Sequence, residues 1–159
     1  MDFEMNMQDY KEAFVKAGYD VRGTKNFIAI QNAFGNNLYV NSCNVSYWKP
    51  ATFVKIVMDA YVDGIETGDD VNIKKINEVN HRMSGLKITF NTNAEEPIYW
   101  FEKTVPVSVF GILDKEQGGA LLIESVKDLL AAASESVAHL NGTYVDDSAV
   151  PAYSNDLDF

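Results

Sequence analysis

The side chains that most often bind metal ions or act as nucleophiles are scarce in this sequence and far apart. The histidines are His81 and His139, and the single cysteine is Cys43. Structural metal sites need several such ligands at short, paired spacings, and no second ligand accompanies either histidine. A Gly-x-Ser-x-Gly motif is missing, and no histidine or run of cations lies beside Cys43. The sequence therefore predicts no metal site, and it predicts that Cys43 is a buried, unreactive thiol.

Pairs of adjacent acids and one pair of glycines are the other candidates for catalysis or ligand binding. The acid pairs are Asp69-Asp70, Glu95-Glu96 and Asp146-Asp147. Carboxylate catalysis needs two groups close in space with different pKa values, whereas adjacent acids in loops are usually solvated. Gly118-Gly119 lacks the lysine and the spacing of phosphate-binding motifs, so we interpret it as the flexible start of a helix. We expect no catalytic residues and no cofactor.

The amino-acid composition limits the classes of partner that this chain is expected to bind. The chain has 159 residues, is 47% hydrophobic, and carries a net charge of −10 from 23 acids and 13 bases. Because its cations are scattered and form no basic stripe, nucleic-acid binding is unexpected, and an anionic membrane surface would repel it. No long apolar stretch indicates a signal peptide or a membrane span. One cysteine cannot form an internal disulfide, which favours a reducing compartment and a cytoplasmic location.

Hydrophobic periodicity predicts the element order α-β-β-β-α-β-β-α. The predicted helices cover residues 6–17, 71–83 and 117–141, and the predicted strands cover 27–31, 38–44, 52–61, 86–91 and 98–109. Strands that follow one another through short connections form antiparallel pairs. We therefore predict one α+β domain over residues 1–142, an antiparallel sheet of about five strands packed by helices. Residues 143–159 contain four aspartates and no base, and predict a flexible acidic tail.

Aromatic residues are the best candidates for recognition. Tyr99, Trp100 and Phe101 are consecutive in a predicted strand, so Trp100 must lie on the opposite side of the sheet from its two neighbours. Trp48 precedes Pro50 in a predicted connection. These rings form either a small cluster beneath a loop or an apolar recognition or dimerisation surface. The candidate protein-binding residues are Tyr99, Trp100, Phe101, Trp48 and Phe159.

One stretch of sequence resembles a known family. Residues 76–80 read Ile-Asn-Glu-Val-Asn on a predicted helix, and a strand, Leu-Lys-Ile-Thr-Phe at 86–90, a second strand and a long helix follow. This arrangement resembles the bacterial YbjN-like sensory-transduction-regulator group over about residues 7–140. That group shares its fold with class I type III secretion chaperones, which bind extended segments of partner proteins and have no catalytic residues. The resemblance implies the same fold, a homodimer and a protein partner.

We therefore expect a non-enzymatic protein-binding module, chaperone-like or regulatory, that captures a partner through an open sheet edge or an aromatic, apolar surface. One alternative is a single-stranded-nucleic-acid-associated protein, because residues 155–159 resemble acidic recruiting tails that end in Phe. Another is an acidic phage-type inhibitor that binds a basic partner as a decoy for nucleic acid. A third is an enzyme with an unrecognised pocket.

Overall fold

The computed structural model describes residues 3–31, 39–61, 69–82, 86–91 and 98–140. The boundary predicted after residue 142 and the acidic tail of residues 143–159 lie outside these ranges. The elements within them are α1 (Gln8–Lys16), β1 (Val21–Gly23), β2 (Phe27–Ile30), β3 (Tyr39–Ser46), β4 (Phe53–Tyr61), α2 (Asp69–Arg82), β5 (Lys87–Asn91), β6 (Ile98–Pro106), α3 (Val107–Phe110) and α4 (Lys115–Leu140).

The strands form one sheet in the order β1-β2-β3-β4-β6-β5, and every neighbouring pair is antiparallel. The predicted α+β class and antiparallel sheet are confirmed, with six strands where about five were expected. The additional strand is β1, whose three residues are too short to show an alternating pattern. The last strand ends at Pro106 and not at residue 109, because the Val107 N–H donates to Thr52 O at 2.9 Å and α3 begins there.

Helices cover one side of the sheet, and the core lies between the two layers. Along β4 the side chains alternate, so that Val54, Ile56, Met58 and Ala60 are buried while Phe53 is exposed. The predicted helix stripes are buried against them: Met7, Tyr10 and Phe14 before and in α1, Ile76 and Val79 in α2, and Leu122, Val126, Leu129, Ala133 and Val137 in α4. Leu38, Ile73, Met83, Phe90 and Leu140, predicted for the same core, have side chains outside the described set.

The predicted ends of the first helix are confirmed by their hydrogen bonds and backbone angles. Asn6 Oδ1 accepts the Gln8 N–H at 3.1 Å, which satisfies one of the free N–H groups at the helix start. Gly18 follows the helix with φ of 93°, a conformation that costs glycine little. Both ends of α1 are therefore determined by local sequence.

The last helix begins two residues earlier than predicted because of a reciprocal cap. Asp114 Oδ1 accepts the Gln117 N–H at 2.8 Å, and Gln117 Oε1 accepts the Asp114 N–H at 3.2 Å. This pairing satisfies two backbone donors at the start of α4, as a capping box does. Gly118 and Gly119 consequently lie inside the helix.

The glycine pair is a site of close helix contact and not the flexible helix start that we expected from the sequence. Both glycines are buried and face α1. A Cβ at Gly118 would lie 2.8 Å from Tyr10 Cε1, and a Cβ at Gly119 would lie 2.6 Å from Ala13 Cβ. The two helices can approach this closely only because these positions carry no side chain.

Across the parts of the chain that the structure describes, no helix combines the length and the apolar character that crossing a membrane requires.

Replacing Gly119 with alanine should destabilise the protein, because the new methyl group meets the short, inflexible Ala13 side chain. We expect a net loss of about 1–2 kcal/mol, since overpacking costs about 1–3 kcal/mol and alanine recovers up to about 1 kcal/mol of helix propensity. Urea unfolding measures the change. Ala13→Gly in the same protein removes the opposing methyl, so the two substitutions should couple favourably. Purely additive effects would contradict the contact.

Candidate functional site

Within the described ranges, no three or more His, Cys, Asp or Glu side chains lie together in a way that could hold a metal ion. Cys43 is buried, as predicted. Its burial, assisted by the nearby negative charge of Asp59, raises the pKa of the thiol to about 12. Since the thiolate is the reactive form, Cys43 stays protonated at neutral pH and is a poor nucleophile.

The aromatic stretch of β6 divides between the two sides of the sheet. Tyr99 and Phe101 are 0% exposed and lie in the core, whereas Trp100 is 42% exposed on the side that none of the described helices covers, which we call the open side. The predicted division of this stretch is therefore observed. In this conformation the Tyr99 and Phe101 rings are sealed beneath the helices and present no surface to a partner, so Trp100 alone of the three is available for contact.

Several polar side chains lie near Trp100 on the open side. It lies opposite Asp59 on β4 and Thr89 on β5. The Asp59 carboxylate accepts a hydrogen bond from Asn41 Nδ2 at 2.9 Å and another from the Ser42 hydroxyl. Further along the same side, Lys55 Nζ lies 3.0 Å from Glu102 Oε1. The open side thus pairs much of its own polarity, and Trp100 lies there among both polar side chains and the half-buried Val57.

The sheet edges determine whether a partner strand could be added. At one edge, Asn80 of α2 reaches over to β5, where its Oδ1 accepts the Ile88 N–H at 2.7 Å and its Nδ2 donates to Ile88 O at 3.0 Å. Both outward-facing backbone groups of Ile88 are therefore occupied. The other edge is β1, which is three residues long. Short or covered edges are a common protection against strand addition, so these edges favour a different mode of binding.

The end of the sheet near Pro106 carries a groove. Three separate segments line it: the N-terminal residues Phe3 and Glu4, the β3–β4 connection (Tyr47, Lys49, Pro50, Ala51 and Thr52), and the start of the α3 region (Val107, Ser108 and Gly111). We call this cavity, of about 760 Å³, the end groove. Its volume is within the range of roughly 300–1,000 Å³ that is usual for ligand sites.

Backbone contacts hold the three segments of the end groove together. The Ala51 N–H donates to Trp48 O at 2.9 Å and closes a turn, in which the Lys49–Pro50 peptide is cis. The bond from Val107 N–H to Thr52 O joins this turn to α3. Gly111 lies against Phe3, since a Cβ there would be 3.2 Å from Phe3 Cβ. The groove is therefore formed only when distant parts of the chain meet.

Large apolar side chains flank the end groove in the sequence and remain exposed. Trp48 is 58%, Phe53 49% and Ile112 85% exposed, and Phe3 in the lining itself is 42% exposed. Each of the first three directly adjoins a lining residue along the chain. Such side chains, placed at one end of a domain, can bury apolar surface when a partner binds.

The charges at the end groove come from Glu4 and two lysines. Glu4 Oε1 lies 3.0 Å from Lys49 Nζ and 3.3 Å from Lys25 Nζ. Hydrogen bonds from Lys49 and then from Lys25 lower the pKa of Glu4, so this carboxylate stays ionised at neutral pH. One carboxylate is thus paired with two cations, so the three side chains together carry a charge of +1. The chain as a whole has a net charge of −10.

The structure does not bring the predicted binding residues together. Trp48 flanks the end groove, but Trp100 lies opposite Asp59, six residues along β4 from Phe53, a separation of about 20 Å at the usual rise of a strand. Phe159 lies outside the described residues. Phe3, Phe53 and Ile112 were not among the predicted binding residues. The alternating pattern of β4 could have revealed Phe53, which shares the exposed side with Lys55, whereas Phe3 and Ile112 lie outside regular strands.

Comparison with known proteins shows a likeness in three dimensions only. No protein-family model and no curated protein sequence matches the chain. The crystal structure of YbjN from E. coli, a protein proposed to regulate transcription, is similar with a TM-score of 0.58 and 11% identity, and the match covers 84% of this chain and 92% of that chain. The chain has a YbjN-like fold. The resemblance inferred from residues 76–90 is thereby confirmed for the fold.

The YbjN-like fold also gives a structural role to the motif that suggested it. Of the two asparagines in residues 76–80, Asn77 is exposed, whereas Asn80 binds the backbone of Ile88. The helix and the following strand are therefore joined by the side chain of one motif residue. In this chain the motif supports the edge of the sheet, and the end groove lies elsewhere.

Replacing Asn80 with alanine should lower the free energy of unfolding by about 1–3 kcal/mol, because two buried backbone groups lose their partner. Amide hydrogen exchange at Ile88 should accelerate in the native state. Asn77→Ala is the matched control: it makes the same change in helix propensity on the same helix, and its side chain is exposed, so we expect a change within about 0.5 kcal/mol. Equal losses in the two variants would contradict the role of Asn80.

Cys43 provides a pH-dependent test of the core. Its folded pKa of about 12 lies above the ordinary value of 9.0, so the stability contributed by burying the neutral thiol is complete below the lower value and is lost as pH rises towards the higher one. Stability measured by urea unfolding should therefore fall more steeply above pH 9 in the natural protein than in Cys43→Ala. Tyrosine ionisation is common to both proteins. Parallel pH profiles would show that the thiol is not desolvated.

Proposed function

We propose that this chain is a non-enzymatic protein-binding module, chaperone-like or regulatory, that holds an extended segment of a partner protein in the end groove. The observation that carries the proposal is the end groove itself, which is lined in part by the exposed Phe3 and whose lining residues are adjoined along the chain by the exposed Trp48, Phe53 and Ile112. Large apolar side chains that stay exposed close to a groove are often part of a binding surface.

Aromatic side chains at such a site supply much of the binding energy when a partner covers them. Trp and Tyr are over-represented among the residues whose truncation weakens protein interfaces most. Trp48 flanks the groove and Tyr47 lines it, while the neighbouring turn is closed by a backbone hydrogen bond. A pre-formed turn reduces the entropy lost on binding, so a short segment can bind usefully.

The charge around the groove indicates what kind of segment would bind. Lys25 and Lys49 share one carboxylate, so a second carboxylate placed beside them would be attracted. We therefore propose that the partner segment combines apolar side chains with Asp or Glu. Attraction between exposed charges is modest and screened by salt, so it selects the segment while apolar contact supplies most of the affinity.

The YbjN-like fold supports a regulatory role by analogy, since YbjN itself is proposed to regulate transcription. We extend the proposal to a cytoplasmic homodimer. The resemblance to the YbjN-like group suggests the dimer, and the single buried cysteine suits a reducing compartment. Light scattering after size-exclusion chromatography would give the mass of the protein in solution and test the dimer directly.

Selection from a random peptide library tests the groove and does not require that the partner be identified first. The natural protein should enrich peptides in which large apolar residues alternate with Asp or Glu. Trp48→Ser should weaken binding of the selected peptides about tenfold or more, because a central aromatic contact is worth about 1.4 kcal/mol or more. Fluorescence anisotropy of a labelled peptide measures the change.

Two further variants locate the site and test its charge. Trp100→Ser removes an equally large exposed ring about 20 Å away on the open side and should leave peptide affinity unchanged. Lys49→Glu should shift the enriched peptides from acidic towards basic residues. The proposed site is wrong if Trp48→Ser and Trp100→Ser behave alike, or if Trp100→Ser alone abolishes binding.

A further inference from the structure

The end groove has the chemistry to bind a segment of the same chain. Residues 155–159 read Asn-Asp-Leu-Asp-Phe. In an extended segment alternate side chains point to opposite sides, so Leu157 and Phe159 share one side while Asp156 and Asp158 share the other. This is the combination of apolar and acidic sides that the groove and its two lysines favour.

We propose that residues 155–159 occupy the end groove of their own chain and compete there with the partner protein. This inference rests on the proposed function of the groove. Leu157 and Phe159 contact the apolar lining, and Asp156 and Asp158 lie towards Lys25 and Lys49, which share the Glu4 carboxylate. A partner must displace the segment before it can bind, so the tail lowers the apparent affinity of the groove.

The length of the chain permits this contact. Helix α4 has 26 residues, so it is about 39 Å long. It begins at Lys115, four residues after Gly111 of the groove lining. The segment therefore leaves the helix at the far end and must return over its whole length. Residues 141–154 can span up to about 46 Å when extended, which is sufficient.

The same lengths show that the closed form is weak and therefore reversible. A random-coil link of this length would have a root-mean-square span of roughly 20 Å, so stretching it to about 39 Å would lower the effective concentration of the segment to the order of 0.1 mM. That value still exceeds a micromolar concentration of protein. Binding within one molecule consequently dominates over exchange between separate molecules in dilute solution.

Collisional quenching of Trp48 tests the contact in the full-length protein. Trp100→Phe is introduced throughout, so that Trp48 is the single tryptophan, and acrylamide quenching is measured at low micromolar protein. Leu157→Ser with Phe159→Ser should increase the quenching constant of Trp48 by roughly 1.5- to 2-fold, because about half of the molecules are closed when affinity matches the effective concentration. The same variant should bind library-selected peptides about twofold more tightly.

The control variant makes two apolar-to-serine changes elsewhere in the tail. Val145→Ser with Val150→Ser leaves residues 155–159 intact and should leave the quenching of Trp48 unchanged. Asp156→Asn with Asp158→Asn should increase the quenching constant of Trp48. High salt should have the same effect on the natural protein. Equal quenching in the two serine variants overturns the inference, and so does protection of Trp48 that grows with protein concentration, since a second copy would then be the occupant.

The results also separate this inference from the proposed function. If the tail variants leave Trp48 unchanged while Trp48→Ser still loses the selected peptides, the groove binds proteins and the tail plays no part. If Trp48→Ser binds those peptides as the natural protein does, the function assigned to the groove fails, whatever protection the tail gives.

Discussion

One constraint organises the molecule: the helices pack on a single side of the sheet, so each strand can bury only alternate side chains. That constraint places Val54, Ile56 and Met58 in the core and leaves Phe53 outside it. It also separates Trp100 from Tyr99 and Phe101, although the three are consecutive. On the open side, Asp59 and Lys55 are paired with other polar side chains. The binding surface that we propose lies instead where strands end and connections meet, at the end groove.

Two close contacts complete this arrangement, and each depends on a particular residue type. Gly118 and Gly119 let α4 lie directly on α1, because a methyl group at either position would collide with Tyr10 or Ala13. Asn80 reaches the backbone of Ile88 with an amide that can donate and accept at once. The first contact determines how the helices lie on the sheet, and the second protects an edge that would otherwise offer free backbone groups.

The charge of the chain acts differently at different distances. A net charge of −10 opposes the approach of other anions at long range. At the end groove, however, Lys25 and Lys49 share a single carboxylate, and the local balance is positive. Salt at physiological strength screens charges beyond about 8 Å, so a bound segment responds to these neighbours more than to the distant total. This difference is the reason that the acidic segment we propose, including the one from the same chain, is compatible with a site on an acidic protein.

The sequence by itself determined what depends on neighbouring residues along the chain. Alternation and helical spacing predicted the α+β class, most elements and the stripes around Phe14, Val79 and Leu129, because burial on one side imposes those periods. Local hydrogen bonding likewise indicated the ends of α1. The sequence did not reveal β1, the contact of Gly119 with Ala13, or the end groove. These features depend on contacts between segments that are distant in the sequence, such as those of Phe3, Trp48 and Gly111. A periodic pattern of apolar residues does not report contacts of that kind. Only the tertiary structure could decide that Trp48 and Trp100 lie apart and that the rings of Tyr99 and Phe101 belong to the core.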